Sequence, residues 1–278
     1  MRGLCVRPAQ AADLPRLHAW LPPGAALALP PPGAKCQAWL VVTDPADNLA
    51  LACLRLHHGI GLDVPRHWYH VGWVVHAAAE LGLFCRLQTL QLGNDLTGAS
   101  ELADIAWQPG LDAAAQAQVL APLLHAALAA VHAATPLASG PRLLIAELPG
   151  LRDSGDQSPF WRGLGLPFCS VDPQQAAHRF GPAWRSHVAA LLPRQPVYSA
   201  FLPADAQAAV GQADPACAVL LGLLRQAGLR ESGHISIDQG GPVLSAPLAA
   251  LQAPGTQQAP TTVHTAHTSP GSTTPRPP

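Results

Sequence analysis

The sequence runs to 278 residues, enough for one large domain or two small ones with a true core. Its 16 Lys+Arg balance 17 Asp+Glu, a net charge of −1, which argues against the basic face that nucleic-acid binding requires. Only 12% of residues are charged, and much of the 49% hydrophobic content is alanine, so Leu, Val and Trp must supply the packing. No apolar run reaches the roughly 20 uninterrupted residues of a membrane span. Leu120 to Val131 is apolar, but it contains His125 and is too short. The opening MRGLCVRPAQAADLP lacks the apolar stretch of a secretory signal. The six cysteines (Cys5, Cys36, Cys53, Cys85, Cys169, Cys217) show neither a CxxC pair nor Cys/His ligand spacing. They read as reduced, mostly buried thiols in a cytoplasmic protein without a metal site.

In chain order, Leu4 to Arg7 reads as a short strand. Ala11 to Trp20 reads as a helix with Leu14, Leu17 and Trp20 on one face, ended by Pro22-Pro23. Residues 21–34 form a Pro-rich loop. Gln37 to Thr43 and Leu49 to Leu56 are strands joined through DPADN, which carries hairpin-turn chemistry. Trp68 to Val75, Leu87 to Leu92 and Leu102 to Trp107 are further strands. Ala113 to Ala134 is the longest helix, and Leu143 to Leu148 is a buried strand. Ser158-Pro159 opens another helix, with Ser as cap and Pro at its first position. Helical patterns follow at 183–192, 204–212 and 215–227, then a strand from Ser232 to Asp238 and a Gly240-Gly241-Pro242 turn. A strand meander followed by alternating strand and helix predicts an α/β fold with a mixed sheet. From Ala253 to Pro278 the chain is rich in Thr, Pro, Ser and Gln and has almost no large apolar residue, so a disordered tail is expected there. The domain is accordingly placed at 1–252 and the tail at 253–278.

Polar residues concentrate in NDLTGASEL (94–102) of an otherwise charge-poor chain. Asn94, Asp95, Thr97, Ser100 and Glu101 can hydrogen-bond an amino acid, and the two carboxylates suit a cationic ammonium or guanidinium. The alternative is a hydrogen-bonded turn, with Gly98 at positive φ. His76 ends an apolar run, as a core histidine or a substrate contact. Glu147, inside a buried strand, requires a partner, with Arg142 and Arg152 as candidates. His57, His58, His67 and His70 read as structural.

Six strings occur in the order and spacing of one family: VVHAAAELGLF (74–84), LGNDLTGASEL (92–102), SPFWRGLG (158–165), LLPRQPVY (191–198), LPADAQAAVGQ (202–212) and IDQGGP (237–242). With them the sequence resembles the arginine N-succinyltransferases, and its opening VRPAQAADLP is similar to their α-type subunits. The resemblance implies a GNAT-like mixed sheet flanked by helices. It implies succinyl transfer from succinyl-CoA to the α-amine of L-arginine in arginine catabolism, with succinyl-CoA a co-substrate and no permanent cofactor. It also implies a homo-oligomer or a hetero-oligomer with a β-type subunit, and neither nucleic acid nor membrane as partner.

Two places depart from the family. Its proton-donating His, two residues after the Gly-Gln of the fifth string, is Asp214 here. A carboxylate at that place suits a proton acceptor better than a donor to a thiolate, and Asp214-Pro215 is also good helix-cap chemistry. The turn expected to hold the CoA pyrophosphate, residues 108–117, has one Gly, no cation and an Asp112 that would repel phosphate. The resemblance places an acyl-CoA contact at the backbone N–H of Ile105. These departures leave open a catalytically weak or inactive paralogue that stabilises or regulates an active partner subunit and, more remotely, a stand-alone acyltransferase of altered substrate.

Overall fold

The computed structural model describes residues 3–22, 27–31, 36–134 and 142–251. The expected tail and part of the 21–34 loop lie outside the described residues. The strands are β1 (Cys5–Pro8), β2 (Gln37–Thr43), β3 (Ala50–His58), β4 (Trp68–Ala78), β5 (Leu83–Gly93), β6 (Ser100–Trp107), β7 (Leu143–Glu147), β8 (Val197–Tyr198), β9 (Arg230–Ser236) and β10 (Pro242–Pro247). They form one sheet in the order β1-β2-β3-β6-β7-β10-β9-β4-β5-β8. Every neighbouring pair is antiparallel except β6 and β7.

The period-2 alternation of the strands sorts side chains onto two faces. Val42, Leu54, Leu56, Leu102, Leu144, Ala146 and Leu244 form the larger core with Leu120, Leu123, Leu124, Ala127 and Val131 of helix α2 (Ala113–Ala133). By length and composition α2 is apolar enough to cross a membrane, but the residues that give it that character are buried in this core. Trp39, Val41 and Cys53 turn the other way and meet Leu17 of α1 (Leu14–Trp20). The predicted first helix is thus a 3-10 turn over Ala11–Asp13 followed by α1, because Pro15 sits where only a first helical turn accepts it.

Helices α3 (Pro173–Phe180), α4 (Trp184–Ala189), α5 (Ala204–Ala209) and α6 (Ala218–Gln226) occupy the stretch between β7 and β9. Residues of α3, α4 and α5 pack on Tyr69, Leu90 and Leu92 of the β4–β5 half, while Leu220 and Leu224 of α6 join the α2 core. Ser158 Oγ accepts from the Trp161 N–H at 3.1 Å, as a cap should, but the turn that follows widens into a π-helix over Trp161–Gly165. Gly165 permits this, since a Cβ there would lie 2.1 Å from the Trp161 ring.

The β4–β5 hairpin is much longer than its predicted strands, with eleven register pairs from Trp68–Gly93 to Ala78–Leu83. β9 covers β4 only at Trp68–His70, and β8 covers β5 only at Thr89 and Leu90. The outer hairpin therefore projects, with Trp73, Val75, Leu83 and Phe84 more than half exposed.

Candidate active site

β6 and β7 run parallel and pair only from Ser100 to Leu102. Beyond Leu102, β6 keeps β3 alone, and it bulges there. Ala103 pairs with Arg55 and Ala106 with Cys53, so Asp104 and Ile105 together stand opposite Leu54. Asp104 takes φ 47°, a conformation that costs a non-glycine residue of order 1 kcal/mol. Ile105, the expected acyl-CoA contact, lies in this bulge where the two parallel strands part.

β6 leads through residues 108–112 into α2. Asp112 caps that helix itself, its Oδ1 accepting from the Ala115 N–H at 2.8 Å. The helix N-terminus, which in a phosphate loop stays open to an anion, holds a carboxylate of its own. Asp214 lies just past the end of β7, its N–H donating to Pro149 O at 2.9 Å. Its Oδ1 accepts from the Ala216 N–H at 2.8 Å and caps the 3-10 turn Pro215–Cys217. Ile105, Asp112 and Asp214 thus all belong to the end of the sheet where β6 and β7 finish.

The residues of NDLTGASEL separate. Asn94 O accepts both the Thr97 N–H at 3.0 Å and the Thr97 hydroxyl at 2.6 Å, and Gly98 has φ 88°. Those three make the hydrogen-bonded turn. Asp95 points elsewhere, its Oδ2 lying 2.7 Å from Nε2 of His234 on β9. Ser100 Oγ is 2.9 Å from Nδ1 of His58. His76 sits on the projecting hairpin with its ring 6.1 Å from that of Tyr198, away from the β6–β7 opening.

Glu101 and Glu147 do come together. Arg66 reaches Glu101 Oε2 at 2.6 Å with one terminal nitrogen and Glu147 Oε2 at 2.8 Å with the other. Trp68 Nε1 donates to Glu147 at 3.1 Å, and Arg185 spans Glu147 at 2.7 Å and Asp238 at 3.3 Å. The suggested partners of Glu147 were wrong. Arg142 instead donates to the carbonyls of Val131 and Ala134, and Arg152 pairs with Asp156. Both stay near their own loops, whereas Arg66 and Arg185 arrive from distant segments.

Burial alone would raise the Glu147 carboxyl, but Arg185 and Arg66 outweigh it and hold the group well below the usual range. Glu101 is 1% exposed, so it meets a ligand only if Arg66 gives way. Three carboxylates against two guanidiniums leave this cluster one negative charge in excess.

On the same face, Arg55 Nε donates to Asp104 Oδ2 at 2.5 Å, and the Arg55 guanidinium lies 6.0 Å from the Trp39 ring centre. Sequence reading missed Arg55, Arg66, Asp104, Arg185 and Asp238 as site residues. The one local signal was an aspartate amid the apolar residues of the later part of a strand, LADIAW.

A family profile described as "Arginine N-succinyltransferase beta subunit" matches residues 32–253. The chain belongs to the arginine N-succinyltransferase family. Relatives named arginine N-succinyltransferase include one from Shigella boydii serotype 18, 32% identical over 209 residues that cover 75% of this chain and 59% of the relative. Another, from Salmonella arizonae, is 35% identical over 185 residues covering 66% and 52%. The chain thus spans little more than half the length of these family members. The solved structure of the arginine/ornithine succinyltransferase subunit AI from Pseudomonas aeruginosa superposes with a TM-score of 0.70 at 24% identity, covering 91% of this chain and 79% of that one. The expected mixed sheet flanked by helices is therefore the family's fold.

Proposed function

We propose that this chain transfers the succinyl group of succinyl-CoA to the α-amine of L-arginine, in arginine catabolism in the cytoplasm, as an α-type subunit working with a β-type partner. The observation that carries this reading is the parting of the parallel pair β6–β7 at the Asp104–Ile105 bulge, within a chain of this family. Six free cysteines suit a reducing compartment. Succinyl-CoA enters as a co-substrate, with no resident cofactor.

The amine nitrogen, in its neutral form, attacks the thioester carbonyl. A C–N bond forms, the C–S bond breaks, one amine proton goes to an acceptor and CoA leaves as the thiolate. In this reading the Ile105 backbone N–H stabilises the oxyanion, the step where preorganised donors contribute most. Asp214, at the family's proton-donor position, takes the amine proton. It leaves the thiolate without an acid, which slows but does not prevent departure of a good leaving group. Of the expected acceptor-binding residues His76, Asn94, Asp95, Thr97, Ser100, Glu101 and Glu147, the role is kept for Glu101 and Glu147, which share Arg66, while the other five are drawn into separate contacts. Both lie in the negative cluster.

The test is release of free CoA thiol from succinyl-CoA with L-arginine, for the chain alone and mixed with a partner subunit. Arginine-dependent release in the mixture is expected. Its absence from both samples would remove the reading.

A further inference from the structure

We infer that Arg55 and Asp104 form a clamp for the zwitterionic head of the acceptor amino acid, Asp104 receiving the α-ammonium and Arg55 the α-carboxylate. The inference deepens the proposed function and rests on it for the location of the thioester.

Three observations carry it. Asp104 is held at positive φ among the apolar residues Leu102 to Trp107 of β6, although a β-bulge of this kind needs no carboxylate. Strained non-glycine residues persist where the surroundings fix them, and they cluster at ligand sites. Next, the pair is only half used. Among the described residues, Arg55 engages Asp104 through Nε alone, and Asp104 accepts through Oδ2 alone. Among the described residues, the two terminal nitrogens of Arg55 and Oδ1 of Asp104 carry no hydrogen bond. A guanidinium presents terminal nitrogens as a fork for a carboxylate, and the free carboxylate oxygen is an acceptor for an ammonium. A zwitterion offers those two groups one carbon apart, so one small head can meet both halves of the pair. The side chains are 14% and 18% exposed, which leaves an edge of each open to a ligand.

Position completes the argument. Asp104 immediately precedes Ile105, so an amine held by Asp104 lies beside the carbonyl that Ile105 is proposed to hold. The Arg55 guanidinium lies 6.0 Å from the ring centre of Trp39, its cross-strand neighbour on β2. Toward the start of β6 on the same face, His57 pairs with Glu101 two residues along, about 7 Å away, and there the negative cluster begins. That excess charge favours an acceptor whose side chain is cationic.

The experiment is calorimetric titration of the full chain, with CoA present, against L-arginine, agmatine (no carboxylate) and Nα-acetyl-L-arginine (no ammonium). The wild type is expected to bind L-arginine at least 10-fold more tightly than either analogue, as sites built around buried polar partners reject ligands that lack them. Arg55→Met should erase the discrimination against agmatine and leave agmatine affinity within about 2-fold. Asp104→Asn should erase the discrimination against the acetylated compound. If Arg55→Met fails to fold, as circular dichroism would show, the near-isosteric Asp104→Asn decides alone.

Equal binding of all three ligands, no saturable L-arginine binding, or unchanged discrimination in the folded variants would overturn the clamp. Thiol release by the wild type separates the two readings. Transfer without discrimination rejects the clamp alone, and discrimination without transfer rejects the activity alone.

Discussion

At the scale of single residues, the clearest difference from the family is Asp214, whose Oδ1 caps a 3-10 turn beside its proposed role as proton acceptor. Asp214→Ala removes the acceptor of the Ala216 N–H and should cost about 0.5–2 kcal/mol, read from urea denaturation. The folded variant should also lose arginine-dependent thiol release if Asp214 takes the amine proton; retained release would leave the cap as its only role. Glu147 is a different case. It accepts from Arg66, Arg185 and Trp68, and removing its charge leaves two guanidiniums short of a partner inside the protein. Glu147→Gln should destabilise the fold by about 3–5 kcal/mol, again by urea denaturation. The need for a partner was legible in the sequence, since a carboxylate in LLIAEL cannot stand alone. The partner's identity was not. Arg66 comes from the loop before β4 and Arg185 from α4, and only the tertiary fold brings them to β7.

Among the elements, those with strong periodicity were legible to within a few residues. β2 falls on its predicted bounds, and α2 ends one residue early. The elements missed have physical reasons. β10 reads PVLSAP, with proline at both ends, and proline argues against a central strand; here both prolines sit at the strand's ends, where fewer ladder bonds are required. α3 buries Ala176 alone, so its sequence shows no apolar stripe. β8 is two residues long. The outer β4–β5 hairpin was read short because its alternation fades where both faces meet solvent. Trp73→Ser and Phe84→Ser should accordingly change stability by less than about 0.5 kcal/mol each, by thermal unfolding. α2 contains Pro122 in its interior, where it withholds one helical N–H. Pro122→Ala should stabilise the protein by about 1–3 kcal/mol, provided the helix keeps its path, as measured by urea denaturation.

For the molecule as a whole, the held-down carboxylates set the acid limb of stability. Glu147, kept ionised by Arg185 and Arg66, and Asp13, kept ionised by its hydrogen bond to Arg7, each take up a proton more readily when unfolded than when folded. Stability from such groups is complete above the ordinary carboxylate range. For Glu147 it is lost as pH falls from about 4.5 toward about 2. Urea midpoints should therefore drop across that window, and Glu147→Gln should flatten the drop. Thiol chemistry divides the chain differently from the expectation of mostly buried cysteines. Cys5, Cys36 and Cys85 are exposed, whereas Cys53, Cys169 and Cys217 are buried, and burial pushes the Cys53 thiol up to about 12 and the Cys217 thiol up to about 11. A thiol reagent at neutral pH should label three cysteines in the native protein and six in denaturant.

The position of β10 has a consequence for how the molecule is made. It lies between β7 and β9 and is the strand through which β1-β2-β3-β6-β7 and β9-β4-β5-β8 become one sheet. It is also the last strand to be synthesised among the described residues. A nascent chain that has emerged only as far as Asp238 holds two half-sheets, each with an open edge awaiting the same six residues, and joining them closes the long excursion from Glu147 to Pro242. Such non-local closure is slow. The interval before it is when the two bare edges are exposed to other chains, and a ribosome stalled just short of Pro242 would present this protein at its most prone to aggregate.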